Sequence, residues 1–110
     1  MAVVGQVFRG TVPFRTGDRF LLFRILQTKR TVIEIRLTNM PGEPPIHWAH
    51  RVVWIDTDDI NMMVSSGLVE PILELPCPTC KRSMHLWNGL KGNQQVVLFA
   101  CEACTTTFEV

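Results

Sequence analysis

Long apolar runs are absent from this sequence. No stretch approaches the roughly 18 consecutive apolar residues that a membrane-spanning helix needs. The first residues, Met1–Gly5, also lack the basic segment and following apolar segment of a secretory leader. We therefore expect a protein of the cytoplasm with no membrane association.

Catalytic signatures are missing as well. The chain has no P-loop, no glycine-rich dinucleotide motif and no nucleophilic serine motif. We expect a protein that is not an enzyme and has no small-molecule substrate. With 46% hydrophobic residues, the chain can nevertheless build a folded core.

The net charge is close to zero, at +1, but it is distributed unevenly. Residues 1–54 contain eight Lys/Arg and three acidic residues, whereas residues 55–75 contain five acidic residues and no basic one. This pattern has two interpretations. The basic segment contacts an anionic partner, or the two segments neutralise each other within the fold.

Residues 1–75 show the patterns of a small β-rich unit. Ile33, Ile35 and Leu37 alternate with charged residues, which predicts a half-buried strand over 31–38. The apolar run at 20–26 predicts the strand before it, with 27–30 as the hairpin connection. Further strands are predicted at 7–14 and 51–55, and the proline-rich segment 39–45 predicts a loop.

One short helix is predicted between the last of these strands and residue 67. Asp56 or Thr57 can cap it, and the apolar residues Ile60 and Met63 fall at helical spacing. Gly67 suits the left-handed position that ends a helix. The predicted fold class is therefore mainly β, with an SH3-like barrel and one short helix over residues 1–75.

The four cysteines form two C-x₂-C pairs separated by 20 residues. They are Cys77, Cys80, Cys101 and Cys104. Because two intervening residues let one tight turn direct both sulfurs at one ion, this spacing predicts a single tetrahedral metal site. Four thiolates close the coordination shell, so we predict one structural Zn²⁺.

Three other interpretations of these cysteines differ in the metal, in the chemistry or in the ligands. Iron in a site of rubredoxin type has the same Cys₄ geometry. A redox dithiol would need a C-x₂-C motif on a βαβ frame, which neither pair has. His85 could replace a cysteine as a ligand, but we expect an ordinary hairpin side chain because four cysteines are already present.

Residues 76–110 resemble the zinc-ribbon superfamily, in which two C-x₂-C knuckles flank a hairpin. Strands predicted at 84–87 and 95–100, a glycine-rich turn at 88–93 and a third strand at 105–108 fit that arrangement. The resemblance implies a structural metal. It also favours contact with nucleic acid or the transcription machinery. More weakly, residues 1–75 resemble the small barrels of mobile-element proteins, on the run from Asp56 to Met63.

Basic and aromatic side chains of both parts could contact nucleic acid through phosphates and bases. The candidates are Arg24, Lys29, Arg30, Arg36, Lys81, Arg82, Trp48 and Trp87. The other interpretation is a solvated hairpin with buried tryptophans. We predict a binding module associated with nucleic acid.

Two alternative functions remain at this point. A protein-protein adaptor within a larger assembly would use adaptable methionine and tryptophan contacts. The residues concerned are Met40, Met62, Met63, Trp48 and Trp54. A small metal-dependent nuclease would use histidines and carboxylates, but a strand between them would keep the two groups apart. Those residues are His47, His50, Asp56, Asp58 and Asp59.

Overall fold

The computed structural model describes residues 3–11, 21–43 and 50–110. In these residues the chain forms one helix, α1, and nine strands, β1 to β9. Their bounds are β1 Val7–Gly10, β2 Leu22–Thr28, β3 Val32–Thr38, β4 Val52–Asp56, α1 Thr57–Ser65, β5 Val69–Pro71, β6 Glu74–Pro76, β7 Ser83–Lys91, β8 Gln94–Ala100 and β9 Thr107–Glu109. The predicted fold class, mainly β with one short helix, is confirmed.

The first sheet has the strand order β4-β3-β2-β1-β5 and is antiparallel throughout. Four strands follow one another as hairpin neighbours, and the fifth returns to pair with the first. The helix α1 connects the two end strands, so the sheet curls around it as a half-barrel. The predicted hairpin connection begins later than expected, because residues 27 and 28 still belong to β2.

One face of this sheet forms a core with α1. Its buried residues are Phe8, Phe23, Ile25, Ile33, Ile35, Ile60 and Val69. Phe8 and Phe23 are cross-strand partners whose ring centroids lie 5.3 Å apart in a stacked arrangement. Ile60 is the buried residue that the helix contributes to this core.

The ends of α1 follow the predicted signals. Asp56 occupies the N-cap position with an extended backbone, although its side chain makes no capping hydrogen bond. At the other end Gly67 adopts a positive φ of 77°. Its N–H donates to Val64 O, and the N–H of Leu68 donates to Met63 O, which is the Schellman arrangement that ends a helix.

The second sheet has the order β6-β7-β8-β9, and the two cysteine pairs lie in the β6–β7 and β8–β9 connections. The glycine-rich segment 88–93 was predicted as a turn, and this was wrong for its first four residues. Strand β7 continues to Lys91, with Gly89 paired to Val96, and the chain reverses at Gly92, which has a φ of 67°. The pairing of nine successive residues outweighs the local turn preference of Asn88-Gly89.

A second core joins the two sheets. Its buried residues are Val7, Leu22, Leu75, Cys77, Met84, Val97, Phe99, Cys101 and Val110. Val7 and Leu22 come from β1 and β2, so the second sheet and its cysteine turns, here called the ribbon, use apolar side chains of the half-barrel to complete their core. The division into residues 1–75 and 76–110 stays a prediction, and its boundary falls inside β6.

Candidate metal centre

The two cysteine pairs lie in turns of the same geometry. The N–H of Lys81 donates to Cys77 O, and the N–H of Thr105 donates to Cys101 O, both at 3.0 Å. Lys81 and Thr105 each have a positive φ, of 66° and 60°. Each pair therefore forms a knuckle that reverses the chain around its two sulfurs, as the C-x₂-C spacing predicts.

The four sulfurs form one group. Cys77 Sγ lies 3.5 Å from Cys104 Sγ, and Cys80 Sγ lies 3.5 Å from Cys101 Sγ. All four ligand atoms lie within 4.8 Å of one another. Four thiolates at about 2.3 Å from a central ion would be separated by roughly 3.8 Å, so these cysteines are positioned to bind one tetrahedral metal ion.

Backbone and hydroxyl groups of the knuckles favour thiolates at two positions. The N–H of Cys80 lowers the pKa of the Cys77 thiol to about 6, against the opposing effect of burial. The hydroxyl and N–H of Thr106 lower the pKa of Cys104. Such hydrogen bonds to sulfur orient and stabilise metal-binding thiolates.

The pKa of Cys80 shifts in the opposite direction from those of Cys77 and Cys104. The N–H of Arg82 favours its thiolate, but burial and the three neighbouring sulfurs outweigh this and raise the pKa of Cys80 to about 11. Without a cation, four close sulfurs cannot all be ionised. A metal ion would supply the positive charge that this cluster lacks.

Two threonines support the centre and were not predicted. The Thr106 hydroxyl lies 3.1 Å from Cys104 Sγ and 3.2 Å from the hydroxyl of Thr79 in the other knuckle. It therefore links the two cysteine pairs beside the sulfurs. A hydroxyl residue two positions after a C-x₂-C pair is the sequence signal that could have indicated it.

The loop after β3 packs against the first knuckle. Gly42 has a φ of 82°, and a Cβ added there would lie 2.8 Å from Cβ of Pro78, between the first two cysteines. Met40 of the same loop packs on the core shared by the two sheets. The half-barrel thus supports the metal centre directly.

The predicted contact residues fall into separate groups. Arg24 and Arg36 are cross-strand partners in the β2–β3 hairpin, and Lys29 and Arg30 lie at its tip. Lys29 Nζ lies 4.9 Å from the ring centroid of Trp54, which is 44% exposed.

The remaining candidates belong to the ribbon or cannot be placed. Lys81 and Arg82 follow the first knuckle, where Arg82 lines a shallow pocket with His85 and Glu102. Trp87 is 49% exposed on β7 and lies over Gly89. Trp48 and His47 lie outside the described residues.

In the described ranges, neither His85 as a zinc ligand nor a second metal site of histidines and carboxylates finds support. Among residues 3–11, 21–43 and 50–110, the four cysteines are the one group of three or more Cys, His, Asp or Glu side chains that could hold an ion. His85 lies 3.3 Å from Glu74 instead. His50 contacts Arg36, and Asp58 and Asp59 lie in the first turn of α1.

A cavity of about 860 Å³ opens between α1 and the tip of the β2–β3 hairpin. Phe8, Ile33 and Ile60 contribute apolar surface, and Lys29 and Arg30 contribute positive charge. Its described lining contains no Cys, His, Asp or Glu side chain.

No protein-family model, curated protein or solved structure matches this chain. In the described part of the chain, no helix is long and apolar enough to cross a membrane.

Proposed function

We propose that this chain is a non-enzymatic zinc-ribbon module that binds nucleic acid, with one Zn²⁺ in a structural role. Zinc is the common partner of a tetrahedral Cys₄ set, and four metal–thiolate bonds would fix both knuckles in one geometry. A closed shell leaves no coordination position for water or substrate, which argues against metal catalysis. The free thiols favour a reducing compartment such as the cytoplasm.

One observation carries the nucleic-acid part of the proposal. Four cationic side chains lie on the single β2–β3 hairpin, and one of them, Lys29, approaches the partly exposed ring of Trp54. They are Arg24, Lys29, Arg30 and Arg36. Cations that contact phosphates and an aromatic ring that stacks on bases are the two elements of sequence-tolerant binding to nucleic acid.

The test combines metal analysis with a binding measurement. Elemental analysis of the purified full chain should find one zinc per molecule. Fluorescence anisotropy with labelled single- and double-stranded DNA and RNA should then show binding. The logarithm of the binding constant should fall linearly with the logarithm of the salt concentration. A zinc-loaded, folded protein that binds none of these probes at about 50 mM salt would refute the proposal.

Exposed apolar side chains support a second candidate, a protein-protein adaptor. Leu73 and Leu90 are 74% and 72% exposed, and Trp87 is also partly exposed. Burying such side chains on a partner would stabilise a complex by the hydrophobic effect. An adaptor should co-purify with one protein at high salt after nuclease treatment, whereas a nucleic-acid-binding module should lose its partners in the same treatment.

A further inference from the structure

Two arginines face each other across β2 and β3 beside a histidine, and we propose that Arg24, Arg36 and His50 bind a backbone phosphate of single-stranded nucleic acid. This inference rests on the proposed function and gives it a location. In the register of β2 and β3, Arg24 is directly paired with Arg36. Like charges at directly opposite positions of a sheet are destabilising, so the free protein holds this pair at a cost in stability.

The neighbouring groups that the structure describes do not compensate Arg24 fully. Arg24 is half-buried, and among the described residues its buried Nε has no hydrogen-bond partner. Burial and then the charge of Arg36 lower the pKa of Arg24, whereas Glu109 raises it. No described carboxylate forms an ion pair with this guanidinium. A buried donor without an acceptor costs stability, and a ligand that accepts from it recovers that cost.

His50 adds a third donor to the pair. Nη2 of Arg36 lies 2.9 Å from Nδ1 of His50. Because a guanidinium only donates, Nδ1 accepts this bond and the proton of the neutral ring is on Nε2. His50 also has a left-handed φ of 66°, and its N–H donates to Leu37 O. The backbone thus holds the imidazole beside Arg36 in a conformation that non-glycine residues rarely adopt.

The position of the pair in the sheet makes it reachable. Val7, Arg24, Arg36 and Val52 are successive partners across β1, β2, β3 and β4, so all four lie on one face. Val7 is buried in the core shared with the ribbon, and Val52 is exposed. The arginines therefore lie where the ribbon stops covering the half-barrel.

Trp54 indicates which source of phosphate fits this face. It lies two residues beyond Val52 on β4, on the same face and roughly 6.6 Å further along the strand. Its ring is partly exposed, and Lys29 approaches it as a cation. A phosphate at the arginine pair and a base stacked on Trp54 are both available in an unpaired strand, whereas duplex bases are already stacked on each other.

The test uses the zinc-loaded full chain and a fluorescein-labelled oligothymidylate. Arg24→Gln and Arg36→Gln should each weaken binding by about tenfold and reduce the salt slope by about one, as the loss of a phosphate contact does. Lys91→Gln removes the same charge from an exposed position of β7 and should change binding less than about twofold.

A second measurement separates a ligand site from a structural role. In the free protein, Arg24→Gln removes like-charge repulsion and should leave the melting temperature unchanged or raise it. The same variant should lose the increase in melting temperature that inorganic phosphate gives the wild type. The Nε–Hε NMR signal of Arg24 should also shift and saturate as phosphate is added.

The outcomes distinguish the site from the proposed function. If the wild type binds the oligonucleotide and both arginine variants bind it equally well, the site is refuted and the proposed function stands. If phosphate saturates the Arg24 signal but no oligonucleotide binds, an anion site exists and its assignment to nucleic acid fails. If the arginine signal responds to neither probe, the phosphate site is refuted.

Discussion

Cys77 Sγ and Cys104 Sγ lie 3.5 Å apart, although the two residues are 27 positions apart in the chain. Both sulfur contacts of 3.5 Å join one knuckle to the other, since Cys80 and Cys101 form the second such pair. The arrangement therefore forms a single centre to which each knuckle contributes two ligands. A metal bound there would connect the start of β7 to the end of β8.

Loss of one thiolate should abolish this centre. We expect Cys104→Ser to weaken zinc binding by more than about 100-fold, because even hydrogen-bonding partners outside the coordination shell contribute about 10–100-fold. His85→Ala is the matched control, since His85 pairs with Glu74 and should leave zinc content unchanged. Competition with a chromophoric chelator measures the zinc affinity of both variants. Full zinc affinity in Cys104→Ser would contradict the four-cysteine assignment.

Zinc affinity should depend on pH in two stages. The pKa of Cys80 is raised to about 11, so this thiol must release a proton on binding zinc at neutral pH. The pKa of Cys77 is lowered to about 6, so it competes with protons only as the pH falls through that value.

The slope of the logarithm of zinc affinity against pH should therefore steepen by one proton below about pH 6. Calorimetry in buffers of different ionisation enthalpy should count fewer than four protons released per zinc at neutral pH. Release of a proton from every cysteine would show that Cys77 is not ionised beforehand.

The shared core should make the half-barrel and the ribbon unfold together. Leu22→Ala removes a fully buried side chain from this core and should lower the free energy of unfolding by about 2–5 kcal/mol. Val52→Ala changes an exposed side chain of the same sheet and should cost less than about 0.5 kcal/mol.

Urea titrations followed by tryptophan fluorescence and by zinc release should give coincident transitions, shifted together in Leu22→Ala. If zinc release kept the wild-type midpoint in that variant, the ribbon core would be independent of β2.

The contact between the β3–β4 loop and the first knuckle can be isolated with two glycines. Gly42→Ala and Gly67→Ala both place a side chain at a positive φ, which costs about 1–2 kcal/mol. A Cβ at Gly67 meets nothing within 4 Å, whereas one at Gly42 lies 2.8 Å from Pro78.

We therefore expect Gly42→Ala to be the more destabilising of the two, and to be the one that speeds zinc loss to a chelator. Stopped-flow measurement of zinc transfer compares them. Equal rates in the two variants would show that the loop does not support the knuckle.

Much of this architecture could be predicted because its signals are local. Alternation at Ile33, Ile35 and Leu37 indicated β3, Gly67 indicated the end of α1, and the cysteine spacing indicated the metal centre. In each case neighbouring residues carry the physical cause, such as a period of two or a left-handed backbone. Membership of the zinc-ribbon superfamily stays a resemblance carried by those cysteines.

The missed features depend on contacts between distant residues. Strands β5 and β6 have three residues each, and both end in proline, so neither has a visible period. They form because β1 and β7 offer partners. The register that pairs Arg24 with Arg36 was also hidden, since an irregularity between Ile25 and Gln27 shifts the pairing further along the hairpin.

Val7 and Leu22 make the core of the ribbon depend on strands β1 and β2 of the half-barrel. Cut away from the preceding strands, the cysteine-bearing hairpin would keep all its ligands but expose Met84, Val97 and Phe99 to water. Metal binding alone would then hold together a fragment prone to self-association. This ribbon is consequently a poor candidate for transplantation into another protein unless β1 and β2 are transplanted with it.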